Sequence, residues 1–358
     1  IIKGTVVPQG SRVPGTPYVL DPVKAAFDIG VAIRWLDYND TWLSKEWGHP
    51  SDNLAGILAV ADMVAQRREQ QGKPALRLQE VLVAMIKAYE IQGILAIDNA
   101  FNAVGLDHVV LVKVATTAVV SQLLGLSQEQ ALTAVSQAWV DGQSLRTYRH
   151  APNVGDRKSW AAGDASARGV FLALLAEKGV SPCPSVLTAP RWGFQSVLFK
   201  QQSITLNQAL GHQVLPNILF KVAFPAEFHA QTAAEAAFTL HPMVKDRDQE
   251  IDRIEIVTQQ PGIDIIAKSG SLKNAADRDH CLQYIVSVAL LFGAINADSY
   301  TDAFAQDPRI DALREKMQVR ADPDFYRRYL DPTDRAIPNQ VCVFFKDGSA
   351  TQAVRVDY

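Results

Sequence analysis

From about residue 21 to residue 215 the apolar residues recur at spacings of three and four, the period of a helix with one buried face. Asp21 before Pro22 reads as an N-cap with proline in the first turn, and it opens the run VKAAFDIGVAIRWLDYND. The same spacing predicts helices over 53–70, 77–97, 109–124, 128–140 and 158–177. Ser127 with Gln130 forms a capping box, and Gly125 ends the helix before it. Past residue 215 the pattern changes. IDRIEIVTQ, from Ile251, alternates apolar and polar as a half-buried strand does, and QVCVFFKDGSATQAVRVDY predicts a hairpin turning at Lys346-Asp347-Gly348. Helical spacing returns over 279–292 and 308–317. The chain is therefore expected to be mainly α, with a large helical domain over 1–215 and a smaller α+β domain over 216–358 built on an antiparallel sheet.

Length and composition sharpen this without changing it. A chain of 358 residues suits two domains, and 48% apolar with 20% charged residues is the balance of an ordinary soluble globular protein. A net charge of −3 argues against general binding to nucleic acid or a membrane surface, which calls for a basic stripe, so any anion site must be local. Cys183, Cys281 and Cys342 lie far apart with no Cys-x-x-Cys pair, which disfavours a disulfide framework, a zinc ribbon or a three-cysteine iron–sulfur cluster and favours a reducing compartment. No apolar run nears the roughly 20 residues of a membrane span. The first residue is Ile1, so a targeting signal is not legible.

Five stretches carry candidate chemistry. WLSKEWGHPSDN sets His49 just before Ser51, Asp52 and Asn53, all good N-cap residues at a predicted helix start; the helix either is simply capped, its loop pinned by Trp42 and Trp47, or offers open N–H groups to an anion beside a histidine. SLRTYRHAPNVGDRKSW holds Arg146, Arg149, His150, Arg157 and Lys158 against one acid, Asp156, and puts two cations at a helix start, where the macrodipole disfavours them unless an anion binds. The competing reading is a solvated basic face. Asp37 and Thr41, four apart, share a face if the first helix runs that far, and either orient a hydroxyl or serve as surface polar groups. His108 stands at another helix start. Lys221 and His229 flank the Phe224-Pro225 turn near the change of pattern, where the lysine either reaches a ligand or sits on the surface. No Gly-x-Gly-x-x-Gly, Walker A, His-Glu-x-x-His or Gly-x-Ser-x-Gly motif is present, and no spacing marks a metal site.

Read together, AIRWLDYNDTWLSKEWGHPSDNLAGILA, NAVGLDHVVLVKVA, WVDGQSLRTYRHAPNVGDRKSWAAGDA, FKVAFPAEFHAQTAAEAA and NAADRDHCLQY resemble the MmgE/PrpD family, in order and through nearly the whole chain. The resemblance implies a large all-helical domain carrying a smaller α+β lid, a homodimer, and family segments beyond both ends of this sequence. The activity implied is cofactor-free elimination of water from 2-methylcitrate, giving 2-methyl-cis-aconitate in propionate breakdown, with possible side activity on citrate or cis-aconitate. Decarboxylation of cis-aconitate on the same fold is the nearest alternative, and a non-catalytic tricarboxylate-binding protein is another. An aromatic residue of the decarboxylase pocket has no counterpart in QPGIDIIAKSG. Correspondence with the decarboxylases points to Asp37, Thr41, His49, His108, Lys158 and Lys221 as the catalytic set. His49 and His108 are then the general base and general acid, in either order, Lys158 and Lys221 neutralise carboxylates, Asp37 with Thr41 orients, and Arg146, Arg149, His150 and Ser51 contact the substrate. The expected partner is a small tricarboxylate, with no nucleic acid, membrane or metal, in the cytoplasm or, in a eukaryote, the mitochondrial matrix.

Overall fold

The structure, a computed structural model, describes residues 6–150, 153–221, 223–331 and 333–358. They fall into two compact units: Ile1–Trp35 with Asn39–Tyr148 and Asp156–Phe220, and Leu36–Tyr38 with Arg149–Gly155 and Lys221–Tyr358. The chain passes to the second unit five residues later than its hydropathy suggests, and two short stretches from the helical half, one carrying Asp37 and one carrying Arg149 and His150, belong to the second unit.

The first unit comprises β1 (Val6–Arg12), β2 (Val19–Leu20), α1 (Pro22–Arg34), β3 (Thr41–Trp42), α2 (Leu54–Gln70), α3 (Leu78–Asp98), α4 (Val109–Leu123), α5 (Gln128–Val140), α6 (Arg157–Glu177), α7 (Phe194–Val197), α8 (Val214–Asn217) and β4 (Ile218–Leu219). Its centre is α4, apolar nearly all round and buried along almost its whole length, with α2, α3, α5 and α6 against it. The hydroxyls on α4 are satisfied within the bundle: Thr117 and Ser121 bond back to carbonyls four residues earlier, at 2.7 Å each, and Thr116 donates to Asn53 Oδ1 at 2.7 Å. The unit is not purely helical, since β1 pairs with β2 and β3 with β4. The first helix ends at Arg34, and Asp37 sits at φ 48° in the left-handed region. The four-residue spacing of Asp37 and Thr41 therefore gives no shared helical face; Thr41 is on β3 opposite Leu219.

Helices α1 and α6 approach through glycine. A Cβ on Gly163 would lie 2.6 Å from the Phe27 carbonyl oxygen and 3.1 Å from the Val31 nitrogen, and one on Gly30 would lie 2.4 Å from Gly163 Cα. Backbone cannot give way as a side chain does, so Gly163→Ala is expected to cost roughly 1–3 kcal/mol through forced separation of the two helices. Urea unfolding of the variant checks this; a midpoint equal to the parent's would contradict it.

The second unit holds α9 (Gln231–Val244), β5 (Ile251–Thr258), α10 (Gln260–Ile266), α11 (Ala275–Arg278), α12 (Leu282–Phe292), α13 (Pro308–Arg314), β6 (Met317–Ala321), α14 (Pro323–Leu330), β7 (Asn339–Phe345) and β8 (Val354–Val356). The sheet order is β6-β5-β7-β8. The expected hairpin is β7–β8, and Gly348 at φ 86° allows its turn. The sheet is mixed, because β5 and β6 run parallel. The helix expected over 308–317 stops at Arg314, and Met317 instead begins β6; the parallel pairing is reached by the long crossover through α10–α13. Ile254, Ile256, Val341 and Val343 join residues of α9 and α12 in one apolar core.

Candidate active site

In the first unit the aromatic loop is a small closed frame. Trp42 and Gly48 exchange backbone hydrogen bonds at 2.8 and 3.2 Å, and the wholly buried Trp42 ring donates from Nε1 to Ser44 Oγ at 2.9 Å. Gly93 on α3 makes room for that ring, since a Cβ there would lie 2.2 Å from it. The frame sets His49 against His108, with ring centroids 5.3 Å apart and near edge-to-face. His49 Nδ1 lies 2.5 Å from the Asp40 carbonyl, which as an acceptor assigns the proton to Nδ1. His108 stands at the N-cap of α4, its Nδ1 3.4 Å from Asp107 Oδ1. A Cβ on Gly48 would meet Gln92 Nε2 at 2.9 Å and His108 Cδ2 at 3.4 Å, so glycine is what lets the loop close over the second ring.

The helix start after this loop does not present open N–H groups. Residues Pro50–Asn53 form a 3-10 turn before α2, and Asp40 occupies its mouth, accepting from the Ser51 backbone at 3.2 Å and from the Ser51 hydroxyl. Asp52 faces Arg34 at 3.8 Å and accepts from Asn39 at 3.1 Å. Asn53 caps nothing; its amide bridges Pro50 O at 2.8 Å and Gln92 Oε1 at 2.7 Å. The protein's own carboxylates fill the slot, and Ser51 is held by Asp40. Burial pushes the Asp40 carboxyl above its ordinary range, against hydrogen bonds from Ser51 and Tyr89 and the charge of Arg34. Thr41, next in sequence, is buried with an Oγ1 that has no hydrogen-bond partner among the described residues.

The basic stretch divides. Arg146 lies 3.9 Å from Asp107 and over the Trp47 ring at 5.8 Å, so it adjoins the His108 pair. Arg157 opens α6 stacked on Trp160 at 4.4 Å and Tyr148 at 5.4 Å. Lys158, beside it, is 1% exposed and therefore belongs to the interior rather than to a solvated face. Arg149 and His150 lie in the second unit, half-buried and exposed respectively, so the five cations do not form one patch of one unit.

The second unit gathers another set. Lys221 Nζ donates to the Asp37 carbonyl and lies 3.2 Å from Asp37 Oδ2, both side chains almost wholly buried. His280 Nε2 stands 4.0 Å from the same oxygen, with Nδ1 2.8 Å from Asp279 Oδ1. Glu227 accepts from the backbone and Nδ1 of His229, at 2.7 and 2.8 Å, and His229 Nε2 is 3.2 Å from the Tyr329 hydroxyl. The charges of His229 and His280 hold the Glu227 carboxyl down to about 2 against burial and the neighbouring Asp37.

Sequence reasoning missed Asp40, Asp107, Glu46, Glu227 and Tyr329. Asp107 and Glu227 were legible as acids one and two residues from a histidine; Tyr329 carried no signal, since only the fold brings it to His229. A cavity of about 280 Å³, lined in part by Lys113, Asp141, Arg157 and Arg168, opens elsewhere in the first unit. Two of these three cations are spent internally: Lys113 and Arg168 both bind Asp141, at 3.4 and 2.8 Å. Among the described residues no group of three or more His, Cys, Asp or Glu is placed to hold a metal ion.

A family model described as the MmgE/PrpD N-terminal domain matches residues 1–207, and one described as the MmgE/PrpD C-terminal domain matches residues 224–358. The chain belongs to the MmgE/PrpD family. Among the relatives of this MmgE/PrpD chain, the 2-methylcitrate dehydratase of Escherichia coli (strain K12) is 57% identical over 361 residues, a span covering 100% of this chain and 75% of its own length. That of Cupriavidus necator is 56% identical with the same coverage. The mitochondrial 2-methylcitrate dehydratase of Yarrowia lipolytica is 55% identical over 363 residues, with 100% and 70% covered. The described residues contain no helix long and apolar enough to cross a membrane.

Proposed function

We propose that this protein is a hydro-lyase that eliminates water from 2-methylcitrate to give 2-methyl-cis-aconitate. The observation that carries this reading is identity above one half, over the whole chain, to relatives named for that activity in bacteria and a fungus. It also favours dehydration over cis-aconitate decarboxylation and over binding without turnover.

The chemistry sets two demands. The hydrogen to be removed sits beside a carboxylate, so the carbanion-like transition state adds negative charge to an already negative group. A positioned cation must offset that charge, and a base and an acid must move protons at the carbon and at the departing hydroxyl. In this reading Lys158 and Lys221 hold substrate carboxylates, with Asp37 orienting Lys221. Arg146, Arg149 and His150 add positive charge. The His49–His108 pair carries proton transfer, with Asp107 orienting one ring and the Asp40 carbonyl the other. Thr41 supplies a hydroxyl to the ligand, and Ser51 supports it indirectly by fixing Asp40.

Incubation with 2-methylcitrate tests the reading: the expected product is lighter by one water, with no carbon dioxide. Itaconate and carbon dioxide from cis-aconitate, with 2-methylcitrate untouched, would favour the decarboxylase. Because the proposed chemistry rests on side chains alone, turnover is expected to persist in chelator; loss on chelation, restored by iron, would contradict that part. The same reading makes the protein a homodimer, and places it in the cytoplasm or, in a eukaryote, the mitochondrial matrix.

A further inference from the structure

The cavity of about 280 Å³ in the first unit is lined by none of the side chains given a role in the elimination. Its walls follow from helical spacing. Arg157, Ala161, Ala165 and Arg168, three or four residues apart, share one face of α6, while Val109, Val110 and Lys113 come from the start of α4. The two helices touch at Gly169, where a Cβ would lie 3.1 Å from the Lys113 carbonyl oxygen. The cavity lies on the N-terminal side of that contact in both helices, and residues 141–144, after α5, form the remaining wall.

Its charges do not balance. Two carboxylates, Asp141 and Asp164, stand against three cations, Lys113, Arg157 and Arg168. Arg168 forks onto Asp141 at 3.0 and 2.8 Å. Lys113 Nζ faces the same carboxylate at 3.4 Å and donates to the carbonyls of Asp141 and Gly142 at 3.1 and 3.0 Å. The charge of Asp164 is felt by these same two cations. Arg157 is left over: among the described residues it makes no ion pair, and its one hydrogen bond, from Nη2 to Ser144 Oγ, is 3.5 Å long. It also stands at the positive end of the α6 macrodipole, where a cation is disfavoured. Yet the guanidinium is held in place, 4.4 Å from the Trp160 ring and 5.4 Å from that of Tyr148, and Trp160 in turn packs on Phe27 at 6.3 Å. A planar fork of donors fixed by two rings and lacking a carboxylate is prepared for one.

The other side of the cavity is apolar. Val109, Val110, Ala161 and Ala165 are buried and present only methyl groups to it. A space of roughly 150 Å³ holds benzene, so this one holds a molecule of roughly ten non-hydrogen atoms. We propose that it binds a small monocarboxylate with a short aliphatic body, the carboxylate on Arg157 and the chain against the alanines and valines. One surplus positive charge matches one carboxylate; a second negative group would meet Asp141 or Asp164. The proposal does not depend on the dehydratase reading.

The test is a titration with sodium butyrate of protein carrying carbon-13 in its alanine methyls, followed by NMR. The Ala161 and Ala165 signals are expected to shift saturably with butyrate. Butyramide has the same shape without the charge, and inorganic phosphate has charge without an apolar body; both are expected to leave the two signals nearly in place. Arg157→Gln is expected to weaken butyrate binding on the order of 10-fold or more, the worth of a charge-assisted hydrogen bond, and to melt as the parent does, since the side chain is exposed. Arg157→Lys, which keeps the charge and loses the fork, should fall between the two. Butyrate that leaves both methyl signals unmoved, by not binding or by binding elsewhere, would overturn the proposal. Undiminished butyrate affinity in Arg157→Gln would do the same, as would butyramide or phosphate binding in the parent as tightly as butyrate.

Discussion

His108→Gln is expected to lower kcat on the order of 100- to 10,000-fold, the range for removal of a positioned acid or base, while the protein stays folded. Three features fix this ring for chemistry. Asp107 stands at Nδ1, His49 packs its ring near edge-on, and the side-chain-free Gly48 closes over the far edge. Glutamine is near in size and keeps a donor to Asp107, so packing is largely preserved while proton exchange is lost. His49→Gln is expected to fall by a similar factor, and the double variant by less than the product of the two, because paired residues acting as one unit do not add. Turnover of either single variant within a few-fold of the parent would remove the histidine pair from the mechanism. Melting curves run in parallel guard against mistaking unfolding for lost chemistry.

The second large effect concerns stability rather than rate. Glu46 is 0% exposed; one of its oxygens accepts from the Asn102 amide at 2.7 Å, and the other has no hydrogen-bond partner among the described residues. Burial, with a smaller push from Asp107, raises its carboxyl to about 8 from the ordinary 4.5, opposed by the Asn102 and Phe101 amides and by Arg146. The folded state therefore holds a proton that the unfolded chain gives up. Its contribution is full below the unfolded value of 4.5 and is lost as pH rises toward about 8, because over that window unfolding releases a proton. At about 1.4 kcal/mol per pH unit the ceiling on this loss is roughly 5 kcal/mol. Glutamine can accept from the same amide and has no proton to lose. Glu46→Gln should therefore remove this decline, so that the variant gains on the parent steadily between pH 5 and 8 in urea unfolding. Parallel curves across that range would contradict a protonated Glu46. The proton also bears on the site, since a neutral Glu46 leaves the negative charge of this pair of acids on Asp107, beside His108.

Much of the framework was legible in apolar spacing, even though α4 is buried on nearly every side. The six helices from Pro22 to Glu177 and the strands at Ile251 and Asn339 follow from period alone. Spacing failed where tertiary contacts outweigh it. The first helix ends before Asp37 because Asp37 enters the left-handed region and joins the second unit, and Met317 leaves its helix because β5 offers a parallel edge. Residue type and neighbourhood singled out His49 and His108, and the fold sets their rings together. At Ser51 the capping chemistry was plain in the sequence, but not that Asp40, eleven residues back, fills the helix mouth. The sequence was silent at Tyr329, 100 residues from His229, whose meaning exists only in the folded chain.

Continuous ultraviolet absorbance of the purified protein with 2-methylcitrate, followed beside His108→Gln and with the product weighed by mass spectrometry, tests the central claim most directly. Growth of a conjugated double bond in the parent, a product lighter by one water and a nearly flat trace for the variant are the predicted results. A folded parent that leaves 2-methylcitrate unchanged, or a variant that keeps pace with it, would contradict the account.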